Sequence, residues 1–74
     1  MRIHSRTDAH TTWAICDTHI AINRAALRQA ESIVPANDIE AAERRSVILT
    51  HEREIARLRN LREQCISWLA GEVA

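Results

Sequence analysis

Glycine and proline each occur once in this chain, at Gly71 and Pro35, and phenylalanine, tyrosine and lysine do not occur at all. So few breakers leave room for few turns, and the 74 residues are expected in a small number of long elements. The scarcity of Val and the absence of Phe and Tyr argue against a sheet, which is built from β-branched and aromatic side chains. No apolar run approaches the roughly 18 residues needed to span a bilayer, and His4, Arg6, Asp8 and His10 interrupt the stretch where a secretion signal would keep its apolar core. A soluble, cytoplasmic chain with no membrane contact is the expectation. Two cysteines, Cys16 and Cys65, are too few for a disulfide framework. Ten arginines balance ten acidic residues, so net charge draws the chain neither to nucleic acid nor to an anionic surface.

What is present is aliphatic. Hydrophobic residues make up 46% of the chain, and Ala, Ile and Leu supply most of them; Ala and Leu are good helix formers. A chain of this length forms one domain, residues 1–74, near the lower limit at which a single core holds without a staple or a partner. Oligomerisation is therefore expected.

Helix patterns fill the sequence. After a loose segment 1–7, Ser5 or Thr7 offers an N-cap, and Ser5 with Asp8 has capping-box spacing. Because Thr11 and Thr12 are weak helix formers, a start near Thr12 is the alternative to one near residue 8. From Trp13 the positions Cys16, Ile20, Asn23, Leu27, Ala30 and Val34 step by three and four, a coiled-coil seam. Ile15, His19, Ile22, Ala26 and Ile33 widen the apolar arc, enough to touch more than one neighbour. Asn23 either fixes register within the seam or sits at a poorly packed edge. Pro35 ends the first helix at about residue 34 and residues 35–37 make the turn. Asn37 with Glu40 then caps a second helix of about 38–70, with Gly71 as its stop. Its inward arc holds Ile48, His51, Ile55, Leu58 and Cys65, with Arg44 and Arg62 as charged intruders.

So short a turn makes the helices antiparallel, and the expected fold is an all-α helical hairpin. Centring the turn at Ala36 sets Ile20 opposite Glu52 and Trp13 opposite Arg59. If the first helix starts at Thr12, the last turns of the second have nothing intramolecular to bury against, and either the N-terminal segment or another chain must cover them. A homodimeric four-helix bundle meets that need. Leu61, Arg62, Cys65, Ile66, Trp68 and Leu69 are the candidate self-association or partner surface, with Arg62 expected to meet Asp8 or a partner.

Site chemistry is sparse. Cys16, His19 and His51 converge in this register and are zinc-ligand types, but a fourth ligand and the paired spacings of zinc sites are missing. No metal, cofactor or catalytic set is expected, and Cys16, facing about residue 56, lies some nine residues or ~14 Å along the axis from Cys65, too far to bridge. Size and composition are similar to those of many small accessory proteins of bacteria and their phages, a likeness that no motif carries. The expected function is a non-enzymatic protein-interaction module, a small adaptor or inhibitor acting on a protein partner. The alternative is a small dimeric nucleic-acid-associated regulator using Arg53, Arg57 and Arg59.

Overall fold

The computed structural model describes residues 3–73, and within them the chain forms two helices, α1 (Arg6–Ser32) and α2 (Asp38–Val73). They pack against each other as an antiparallel hairpin 55 Å long and only 16 by 14 Å across. Its radius of gyration is 16.3 Å, where a compact domain of this length has about 11 Å.

Local chemistry sets each helix end. Ser5 caps α1, its hydroxyl accepting the Asp8 N–H at 3.1 Å, while the Asp8 carboxylate accepts the His4 N–H at 3.3 Å. The Ser5 bond satisfies a donor that the first turn leaves unpaired, and the Asp8 carboxylate ties down the residue before the cap. Thr11 and Thr12 do not delay the start, because Ala9 and Thr12 are buried against α2 and packing outweighs their weak propensity.

α1 stops at Ser32, two residues short of the expected 34. Ile33 is extended, with ψ of 127°, and its N–H bonds back to the Ala30 carbonyl at 3.3 Å. Pro35 is the cause: it has no N–H for the Glu31 carbonyl, and its ring would crowd that oxygen in a continuing helix. Arg44 of α2 supplies the missing donors. Its Nε donates to the Ala30 carbonyl at 3.1 Å and its Nη2 to the Glu31 carbonyl at 2.9 Å. The apolar-arc intruder is thus a cap, a cation held at the negative end of α1.

After the link 33–37, Asn37 Oδ1 accepts the Glu40 N–H at 2.9 Å and the Glu40 carboxylate accepts the Ala36 N–H at 2.8 Å. Asp38 and Glu40 stand in the first turn of α2, where the dipole favours negative charge. Gly71 does not end α2. The helix continues to Val73 with no residue at positive φ among those described, and a Gly stops a helix mainly by entering that region.

The cross-helix contacts share one register. Ala30 meets Arg44, Asn23 meets His51, and Cys16 and Leu58 belong to one buried cluster with Ile20 and Ile55. Each step of seven along α1 matches seven back along α2, the repeat of a coiled coil. Carried one heptad further, that register sets Ala9 level with Cys65, and both are fully buried. Relative to a three-residue turn centred on Ala36 the helices are displaced by two to three residues, so Ile20 packs with Ile55 rather than opposite Glu52. The five-residue link accounts for the shift.

Replacing Arg44 with Met, which keeps the stem and removes the donors, is expected to cost about 1–2 kcal/mol in urea unfolding. Arg45→Met, at an exposed neighbouring position, should stay within about 0.5 kcal/mol.

Candidate functional site

Three places in the fold hold chemistry-bearing side chains: the seam, the C-terminal half of α2, and the two long sides of the hairpin.

In the seam, Asn23 Nδ2 donates to the His19 carbonyl at 2.8 Å and Asn23 Oδ1 lies 2.8 Å from His51 Nδ1. An amide oxygen only accepts, so in this arrangement the ring proton is on Nδ1. Asn23 therefore joins a polar layer across the two helices, one turn above the apolar Ile20 and Ile55. Cys16 and Cys65 are both free and buried. Burial pushes the Cys16 thiol above its ordinary range, reinforced by Cys65 and Asp17 and opposed by Arg57 and Arg62. Burial likewise raises Cys65. Nucleophilic cysteines are stabilised as thiolates, so both shifts run opposite to activation. No group of three or more His, Cys, Asp or Glu side chains placed to hold a metal occurs among the described residues, and Cys16, His19 and His51 do not converge.

The six residues of the candidate C-terminal surface are spread around α2. Cys65 is fully buried, while Leu61, Arg62, Ile66, Trp68 and Leu69 are half-buried. Because α1 begins at Arg6, the register brings its first turn level with Leu69, and the end of α2 has an intramolecular neighbour. Arg62, Cys65 and Leu69 follow the seam, Leu61 and Trp68 fall on one side of it and Ile66 on the other. Arg62 pairs with Asp17 at 3.1 Å, not with Asp8. With side chains 31% and 53% exposed, that pair contributes at most about 1 kcal/mol, and the Arg62 Nε is enclosed without a hydrogen-bond partner.

The two sides of the hairpin differ. On one, the groove between the helices is bordered by Ile15 and His19 from α1 with Glu54, Arg57 and Leu61 from α2, and nearer the link by Ile33, Glu43 and Val47. Ile15, Ile22, Ile33 and Val47 remain between 43% and 57% exposed there. The other side is closed by charge, with Arg24, Glu52 and Arg59 around Leu27 and Ile55 and the Asp17–Arg62 pair beyond them. The arginines named for nucleic acid divide accordingly. Arg53 and Arg57 border the isoleucine side, Arg59 the charged side, and Arg57 is bound to Glu54 through two hydrogen bonds at 2.6 and 3.0 Å. That bond holds the Glu54 carboxyl below its usual range and raises Arg57.

The isoleucine side is the surface that the choice of a C-terminal site passed over. Its signal was the apolar arc of α1, wider than one neighbouring helix can cover. No protein-family model matches the chain, and no curated protein and no solved structure is detectably similar to it.

A double-mutant cycle tests the polar layer. Asn23→Ala and His51→Ala are each expected to destabilise, with a coupling energy of about 1 kcal/mol between them in urea unfolding. Losses that simply add would show that the bond between them contributes nothing.

Proposed function

We propose that this chain is a non-enzymatic protein-interaction module, a small adaptor or inhibitor that works as a homodimeric four-helix bundle and presents its remaining surface to another protein. One observation carries the reading. The hairpin exposes 5387 Å² of surface, whereas a folded monomer of its 8.4 kDa exposes about 4600 Å² by the usual scaling with mass. The surplus, the difference of those two values, is about 800 Å², close to what one partner contributes to a standard interface. Among the described residues, seven large aliphatic side chains, Ile15, Ile22, Ile33, Val34, Ile39, Val47 and Leu49, are 43% exposed or more. Full burial of one such side chain is worth about 1.5–3 kcal/mol, so association has a ready driving force.

Val34 and Ile39, 89% and 73% exposed, cluster at the link end of each copy. These tips are where a foreign partner has access once the long sides are covered. The nucleic-acid alternative draws less support, since Arg57 and Arg62 are engaged by carboxylates and Arg44 by backbone. Two experiments separate the readings. Immobilised chain should retain one defined protein, and Ile39→Ala should release it while circular dichroism stays helical. Retention on heparin that falls steeply between low and moderate salt, and weakens on replacing Arg53 and Arg59, would put the nucleic-acid reading in its place.

A further inference from the structure

We infer that the isoleucine side of the hairpin is the dimer interface, and that the second copy lies on it antiparallel, the link end of each hairpin against the terminal end of the other. The inference rests on the dimeric reading above and specifies its surface and geometry.

The choice of side follows from desolvation. Charge borders both sides, but at mid-length on the isoleucine side Glu54 and Arg57 already pair with each other. Pairing through the other side would instead bury Arg24, Glu52, Arg59 and the Asp17–Arg62 pair at a cost that only well-made partners offset. The isoleucine side presents Ile15 and Ile22 in mid-length and Val47 and Ile33 towards the link, all partly exposed already. At 55 by 16 Å it measures roughly 900 Å² in outline, and a standard interface takes about 800 Å² from each partner. A foreign helix would need to match this length and this row of side chains; a second copy does so by construction.

Orientation follows from charge and level. Glu40 and Glu43 border the groove at the link end, where Arg44 is already engaged by the Ala30 and Glu31 carbonyls. A dyad along the hairpin axis would set these carboxylates against their own copies, and like charges brought together at an interface oppose it. A dyad across the middle separates them by most of the molecular length. It also brings Leu61 and Trp68, half-buried towards the terminal end, to the level of Val47 and Ile33 of the other copy, so that the two uncovered ends cover one another. Glu54 and Arg57 lie near the midpoint, where the same dyad places each pair beside its copy with opposite signs facing.

The test uses the full chain. Ile22→Glu, and separately Ile15→Glu, should leave each hairpin helical, since both side chains already face solvent in it. Either variant should weaken dimerisation at least 100-fold by sedimentation equilibrium, taking the mass from twice 8.4 kDa to 8.4 kDa. Leu49→Glu, at a similarly exposed position away from both grooves, should leave the dimer intact. A nitroxide at Val34→Cys, with the native cysteines buried, should report a separation close to the 55 Å hairpin length. A separation within about two helix spacings, ~20 Å, would overturn the antiparallel geometry. A dimer whose affinity is unchanged in both glutamate variants would overturn the choice of face while leaving the interaction reading standing. A wild-type monomer throughout would remove the dimer itself.

Discussion

The register between the two helices is the constraint on which the rest of this structure depends. One residue in seven on α1 meets one in seven on α2, from Ala30 and Arg44 at the link, through Asn23 with His51 and Cys16 with Leu58, towards Ala9 and Cys65. A slip of one heptad would preserve the geometric repeat but not the chemistry, because it would place Cys16 against His51 and Asn23 against Arg44. Both polar layers would then lose their partners together, and an unpaired polar group in a seam costs more than the bond it forgoes. The Arg44 cap adds a second lock, since it also closes the end of α1 that Pro35 leaves open.

Much of this was legible in the sequence. The two helices, the turn at Pro35, the Asn37 cap with Glu40 and the seam from Cys16 to Ala30 all follow from side-chain period and capping chemistry, which are local. What was not legible depends on contacts between the helices. Choosing a start at Arg6, close to the expected residue 8, over the alternative at Thr12 needs the burial of Ala9 and Thr12 to be known, and the cap that Arg44 places on the end at Ser32 needs the register. Gly71 reads as a stop from its conformational freedom, yet nothing in the chain requires it to use that freedom. The two-to-three-residue displacement arose from assuming a tighter link; with α1 beginning at Arg6, Cys65 is fully buried within the hairpin.

What the hairpin leaves uncovered is organised by side. Among the described residues its core is a narrow seam, the cluster of Cys16, Ile20, Ile55 and Leu58 with Leu27 and Leu61 against it and the small buried Ala9, Ala30 and Cys65 along it, which is little for a chain of this length. One long side is dressed with charged pairs, the other keeps isoleucine and valine partly exposed along its length, and the link end adds Val34 and Ile39. In the proposed dimer the isoleucine side is covered by a second copy, and association supplies hydrophobic stabilisation that a larger domain finds within itself. The cysteines fit this account as small apolar seam residues, since burial raises both thiols.

The proposal at the centre of this account is that a second copy covers the isoleucine side and adds to the stability of the hairpin. It is tested most directly by following thermal unfolding as a function of protein concentration. Raising the chain from about 1 to about 100 µM should lift the midpoint by about 5–10 °C, because mass action adds roughly 2.7 kcal/mol per hundredfold to a dimer. A midpoint that stays constant over that range would show that association adds nothing to the hairpin's stability and contradict the account.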